Sequence, residues 1–304
     1  MTTPPPTPNS PLNSPAAVPI AASLSVRRPA MRAILGAMSA PAALAEALAP
    51  LRSDPARAAI LLDIDGTLAP IVRHADDAAV PESTRTQLIA VAKRYAVVGC
   101  ISGRRSTTAR QMVSLGSIAY VGNHGAELLE PGGTKPELDP EVVAHERKVR
   151  AFADAAYSTD VQRLRVRSED KGSIIALHWR GAPDEDAAES AVRAIAEQAE
   201  ADGLWIHWGR KVLELRPPVE LSKGRGARRL LDGRDLAAAL YVGDDMTDLD
   251  AFDGLRGLVE EGRLGAAICV GVRSGETPER LEREADLLVD GPPGVVELLR
   301  ALAT

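Results

Sequence analysis

Two aspartates, Asp63 and Asp65, stand two positions apart, directly after the apolar run Ala58-Ala59-Ile60-Leu61-Leu62. On extended chain such residues project to the same side. Their carboxylates then repel each other unless a cation lies with them. A hard divalent ion such as Mg²⁺ takes oxygen ligands of this kind. The pair can also divide labour in phosphoryl chemistry, one carboxylate attacking phosphorus while the other gives and takes protons. Gly66 permits a sharp turn immediately afterwards. A lone D-x-D at a strand end is as readily an Asx turn, but Asp63-Ile64-Asp65-Gly66-Thr67 behind an apolar strand is much more specific.

Three further groups stand at comparable places. Ser102-Gly103-Arg104 follows the apolar run Ala96 to Ile101, where a hydroxyl and backbone N–H groups can hold a phosphate oxygen; Ser-Gly is also a common turn. Lys223 opens a predicted helix and offers a compact donor for a phosphoryl group, although a lone lysine is more often a surface residue. Gly243-Asp244-Asp245-Met246-Thr247-Asp248 follows the run Leu240 to Val242 and sets three acids within five residues. That cluster suits a cation, and it equally suits an acidic helix N-terminus.

Placing these residues requires a particular scaffold. The run Ala58 to Leu62, a helix over Pro81 to Arg94, the run Ala96 to Ile101, a helix over Ser106 to Leu115 and the run Ile118 to Val121 give a β-α-β-α-β order. Continuous apolar strands alternating with helices predict a parallel sheet covered on both faces. After the turn Pro131-Gly132-Gly133 the pattern changes. A helix over Glu141 to Tyr157, alternating strands at Arg163 to Ser168 and Ser173 to Trp179, a helix over Asp184 to Ala201, and strands at Leu204 to Trp208 and Val212 to Leu215 predict a separate α+β unit. From Ser222 the α/β rhythm returns, with a helix from Gly224, the strand at Leu240, a helix from Asp248, strands at Ala266 to Val270 and Leu287 to Val289, and a last helix at Gly294 to Ala301. The expected fold is α/β, a doubly wound parallel-sheet, Rossmann-like core over residues 46–130 and 222–304. An α+β cap over 131–221 interrupts it. In such sheets ligands bind beyond the carboxyl ends of the strands, where all four groups fall.

Composition narrows the function classes. The 304 residues are 45% hydrophobic and 26% charged, with a formal net charge of -6. Nucleic-acid binding, which draws on a basic field, is not expected. No run approaches the roughly 20 apolar residues of a membrane span. Eight of the 22 prolines lie within Met1 to Pro29, so residues 1–45 read as a disordered tail, with a short helix over Ala42 to Leu51. Arg27-Arg28 before an Ala-rich stretch is weakly like an export signal, but Pro41 and Glu46 interrupt the apolar part, and a cytoplasmic protein is expected. Cys100 and Cys269 sit in apolar runs and read as buried free thiols.

In their order and spacing the four groups resemble the four motifs of the haloacid dehalogenase superfamily. The resemblance implies that Asp63 is a nucleophile that becomes an aspartyl-phosphate, and that Asp65 is the acid and base. Mg²⁺ would be held by Asp63, the carbonyl of Asp65 and Asp244. Ser102 and Lys223 would bind phosphoryl oxygens, and Asp245 and Asp248 would support the metal shell. An inserted cap between the second and third motifs implies a small phosphorylated metabolite as substrate.

Three runs resemble, more narrowly, the trehalose-6-phosphate phosphatases: Gly122-Asn123-His124-Gly125-Ala126-Glu127, then Lys171 with His178-Trp179-Arg180, then Gly209-Arg210-Lys211-Val212-Leu213-Glu214-Leu215-Arg216-Pro217. On that likeness Glu127, Lys171, Arg210 and Glu214 are sugar-contact candidates, with Arg104 nearer the phosphate. A functional link to trehalose-6-phosphate synthase is implied. Bland alternatives remain open for each residue: Lys171 and Arg210 as exposed strand charges, Glu214 as the partner of Lys211 or Arg216, His124 as a turn residue. Trp179, Trp205 and Trp208 are expected to anchor the small unit's own core rather than stack on a sugar. The core motifs alone leave open phosphatases of sucrose phosphate or mannosylglycerate phosphate, a phosphomutase, and a non-catalytic binding protein.

Overall fold

A computed structural model describes residues 40–72, 78–275 and 277–304. The Pro-rich tail expected over 1–45 lies outside the described residues as far as position 39. The helices Ala40–Ala47 and Ala49–Arg52 stand where a short helix over Ala42 to Leu51 is expected, so the last six positions of the expected tail are helical, in keeping with the high helix propensity of alanine.

Eight strands form the larger sheet in the order β12-β11-β10-β1-β2-β3-β4-β5. Its parallel part comprises β12 (Leu287–Asp290), β11 (Ala266–Arg273), β10 (Ala238–Gly243), β1 (Ala58–Leu62), β2 (Val97–Ile101) and β3 (Ala119–Gly122). All five residues of β1 are buried, because it is paired on both sides and covered on both faces, which explains its lack of polar alternation. Ile60 and Leu62 face one layer with Leu88, Leu298 and Leu302. Ala59 and Leu61 face the other with Leu230, Phe252 and Leu255. Two antiparallel strands, β4 (Glu127–Leu129) and β5 (Glu137–Leu138), extend the edge. They are too short to carry a periodic signal and were not legible in the sequence.

From β1 the chain passes to β2 and β3 on one side, while β10, β11 and β12 lie on the other. The gap between β1 and β10 is therefore a topological switch point, where the connections part and leave a crevice.

The smaller sheet is antiparallel in the order β6-β7-β9-β8, made of β6 (Arg167–Asp170), β7 (Ile175–His178), β9 (Val212–Arg216) and β8 (Trp205–Gly209). One face, with Ile175, Leu177, Leu213 and Leu215, packs on Val149, Val192 and Ile195 from the helices Pro140–Ala156 and Glu185–Ala201. The opposite face carries Glu169, Ala176, Glu214 and His207 in one row across the four strands.

Two expectations need correction. The strand predicted at Arg163 to Ser168 is instead the end of a helix, Thr159–Arg163, followed by β6 three residues later. Ser158 caps that helix through its side chain, and Arg165 turns the chain in the left-handed region at φ 61°. Every residue of β6 is exposed, so polar alternation had nothing to register. The tryptophans also divide. Trp179 is buried in the small core, whereas Trp205 is 49% and Trp208 37% exposed. Among the described residues no helix is long and apolar enough to cross a membrane.

Candidate active site

Asp63 leaves the carboxyl end of β1 with its N–H on the Val242 carbonyl, so β10 fixes its backbone. Its side chain is buried. Lys223, the first residue of the helix Lys223–Leu231, donates from Nζ to Asp63 Oδ1 at 2.8 Å and to Asp248 Oδ1 at 2.6 Å. Ser222 caps that helix by accepting from the Arg225 N–H, which sets the lysine's direction. Burial pushes the Asp63 carboxyl well above the ordinary range, and Lys223 pulls against it. Lys223 is itself raised: burial would lower it, but Asp248 and Asp63 outweigh burial.

Asp244 follows β10 and is also buried. Thr67 donates to its Oδ1 at 3.2 Å. Burial, together with Asp248 and Asp245, pushes Asp244 up to about 7. Oxygens of Asp63, Asp244 and Asp248 lie within 4.8 Å of one another. Asp248 is already engaged, accepting from Lys223 and Tyr241 on Oδ1 and from the N–H groups of Asp244 and Asp245 on Oδ2. Asp63 shares the single Lys223 ammonium with Asp248, and among the described residues no basic side chain pairs with Asp244. That donor set, all oxygen and crowded, fits a hard divalent cation. Gly66 belongs to this arrangement: at φ 85°, a Cβ there would stand 2.1 Å from Asp244 Oδ2.

The other predicted residues fall in distinct places. Asp65 points to Arg104, whose Nε and Nη2 each donate to one carboxylate oxygen at 2.7 Å. Ser102 is buried, and its Oγ accepts from the Arg104 N–H at 3.1 Å. Asp245 accepts from the N–H groups of Thr247 and Asp248, holding the loop at the start of the helix Asp248–Glu260.

On the small sheet, Lys171 donates to Glu214 Oε1 at 2.9 Å and Arg216 to Oε2 at 3.0 Å. Burial would raise the Glu214 carboxyl, but Lys171 and Arg216 outweigh it and hold it down at about 2. Arg210 is not part of this group. It is exposed in the β8–β9 turn, two positions before β9 begins. Lys211 pairs instead with Glu185. Glu127 is buried in the core, accepting from the Ser106 N–H and Oγ and from Asn123 Nδ2, which leaves it tying loops together at the base of the site.

Of the two partners expected for Glu214, the structure gives it Arg216, two positions away on one strand and so on the same face. Tyr241 was not singled out, because nothing local in the sequence signals its bond to Asp248. His124 packs against Gly103 and lies 6.5 Å from the His207 ring, joining the large unit to the open face of the small sheet. Burial and Arg216 lower His124 to about 3, so it is neutral.

Comparison with known proteins fits this geometry. The family model described as trehalose-phosphatase matches residues 61–280. A trehalose-phosphate phosphatase of Mycobacterium marinum is 34% identical over 263 residues, covering 82% of this chain and 62% of that protein. An uncharacterized glycosyl hydrolase of Mycobacterium tuberculosis is 33% identical over 209 residues, 66% of this chain but 15% of that one. The chain thus spans less than two thirds of the length of these relatives. A crystal structure of a trehalose-6-phosphate phosphatase related protein superposes with a TM-score of 0.63 at 21% identity, covering 81% of this chain and 96% of that one, which shows a shared fold. With the family model spanning the strand-end carboxylates, Lys223 and the whole small sheet, the chain belongs to the trehalose-phosphatase family.

Proposed function

We propose that this protein hydrolyses trehalose 6-phosphate to trehalose and inorganic phosphate, the last step of trehalose biosynthesis, through a phosphoryl intermediate on Asp63. The observation that carries this reading is the buried Asp63 held 2.8 Å from Lys223 beside the cation-deficient Asp244.

In the first step a carboxylate oxygen of Asp63 attacks phosphorus. The bond from phosphorus to the sugar oxygen breaks, its electron pair stays on that oxygen, and Asp65 supplies the proton. Trehalose leaves. Water then attacks the aspartyl-phosphate at phosphorus and gives its proton to Asp65, while the acyl phosphate bond breaks and restores the Asp63 carboxylate. Lys223 and Ser102 bind the phosphoryl oxygens. Arg104 grips both oxygens of Asp65; an arriving phosphate is a competing bidentate acceptor for this guanidinium, and the exchange frees Asp65 to meet the leaving oxygen. Asp63, the Asp65 carbonyl and Asp244 would hold Mg²⁺, with Asp248 and Asp245 fixing the surrounding loop. When bound, the ion supplies charge neutralisation for the attacking carboxylate and the phosphoryl group.

Residues 131–221 act in this reading as a cap over the site. Lys171, Glu214 and Arg216 offer donors and acceptors of the kind a polyhydroxylated disaccharide requires. The substrate would come from trehalose-6-phosphate synthase, the functional partner this reading implies, in the cytoplasm. Acid quenching during turnover of trehalose 6-phosphate, followed by peptide mapping, tests the scheme: phosphate is expected on the peptide containing Asp63, and a label on any other residue would contradict it.

A further inference from the structure

Asn123 occupies a costly position for an asparagine. With His124 and Gly125 it forms three consecutive residues at positive φ, 48°, 54° and 105°. Asparagine tolerates the left-handed region better than most residues, but glycine would hold it more cheaply. Backbone fit alone therefore does not account for the side chain, which is fully buried.

That side chain bridges the two sheets. Nδ2 donates to Glu127 Oε1 at 2.9 Å, on the large unit, and to the Lys171 carbonyl at 2.8 Å, on the small one. Both partners are acceptors only, so the amide's orientation is forced. The Oδ1 atom is buried with no hydrogen-bond partner, so the bridge is kept although half of the amide goes unsatisfied. The turn it meets is closed by the Lys171 N–H on the Ile174 carbonyl, and a Cβ placed on Gly172 in that turn would stand 3.7 Å from Glu127 Oε1 and 3.8 Å from Arg105 Nη2. The same Lys171 whose carbonyl is clipped to Asn123 sends its ammonium to Glu214. Independently of the side chain, the Asn123 N–H donates to the Arg104 carbonyl at 2.8 Å, so the loop behind Ser102 keeps its tie to the core whatever stands at 123.

We propose that Asn123 is a positioning residue for sugar recognition: its amide clips the turn at residues 171–174 onto the large unit and so fixes the Lys171 ammonium beside Glu214. This rests on reading Lys171 and Glu214 as sugar contacts. It separates recognition from chemistry, because the clip acts on the small sheet and leaves Asp63, Lys223 and Asp244 untouched.

Two variants test it. Asn123→Asp keeps the shape and the left-handed preference but replaces the donor with an acceptor. Asn123→Gly keeps the backbone and removes the clip. Thermal unfolding confirms that each is folded. In both, kcat/KM for trehalose 6-phosphate should fall about 10–100-fold, mainly through KM, while turnover of a small aryl phosphate, which does not reach the small sheet, falls less than about threefold. Equal losses on the two substrates would assign Asn123 a merely structural role and overturn the proposal. Hydrogen exchange gives a readout that needs no turnover: amides at 171–174 should exchange faster in both variants while those of β1 and β2 do not. Unchanged exchange at the turn would overturn the clip. Loosening of the turn in a protein that proves inactive on trehalose 6-phosphate would support the clip and contradict the proposed substrate instead.

Discussion

Lys223 and Asp63, 160 positions apart, meet at 2.8 Å in a site where neither is open to solvent. The whole small unit is inserted between them in the chain, yet β1 and the helix Lys223–Leu231 return them to one point. Asp63→Asn keeps the shape and removes the carboxylate proposed as the nucleophile. Lys223 retains Asp248 in that variant, so the fold has no new unpaired charge. We predict at least about 10³-fold loss of kcat with Tm within a few degrees of wild type. Near-normal turnover in folded D63N would refute the assignment.

Asp248 gathers four donors around one buried carboxylate: Lys223, Tyr241 and two backbone N–H groups. Removing its charge leaves Lys223 with Asp63 at 2.8 Å and the more distant Asp245 at 3.9 Å, and loosens the loop that carries Asp244. Asp248→Asn should lower stability by about 3 kcal/mol, as expected for a broken buried pair, and raise the Mg²⁺ concentration needed for half-maximal activity about 10–100-fold. Urea unfolding and a Mg²⁺ titration measure the two effects. A stable variant with an unchanged metal requirement would remove Asp248 from the account.

Gly66 is fitted to Asp244 both by its φ of 85° and by space, since a Cβ would overlap the carboxylate. Gly66→Ala should therefore displace Asp244 and cost about 100-fold in kcat/KM, with partial recovery at high Mg²⁺. If alanine is tolerated at ordinary Mg²⁺ levels, Asp244 is not where the cation is held.

Glu214 yields a prediction in pH. Its folded carboxyl is held down at about 2, against about 4.3 for an unfolded glutamate. A depressed carboxylate stabilises the fold above the unfolded value, and that contribution is lost as pH falls through the folded one. The stability difference between wild type and Glu214→Gln should be about 3 kcal/mol at pH 7 and should shrink progressively as pH drops from about 5 to about 2. In assays at pH 7, E214Q should raise KM for trehalose 6-phosphate about 10-fold and affect an aryl phosphate less than about twofold. Equal effects on both substrates would make Glu214 structural.

The elements that place the chemistry were legible because their signals are local. Ala58–Leu62 is apolar without interruption, and the acids follow at its end, as they do after β10. What escaped depends on contacts distant in the chain. Nothing local distinguishes Glu127 from a surface acid, yet it is buried under Ser106 and Asn123. Arg210 and Arg216 flank Glu214 in one basic run, and strand geometry alone gives Arg216 the shared face. The exposed strand β6 defeated periodicity because it buries no side chain. The pairing of Arg104 with Asp65 is likewise a tertiary fact; from sequence the arginine could only be placed near a phosphate.

Phosphate release by the purified protein with Mg²⁺, measured across trehalose 6-phosphate, sucrose phosphate, mannosylglycerate phosphate and glucose 6-phosphate, decides whether trehalose 6-phosphate is the substrate. A clear preference for trehalose 6-phosphate is expected, abolished by EDTA and restored by Mg²⁺. Preference for another sugar phosphate, or release that persists in EDTA, would contradict it.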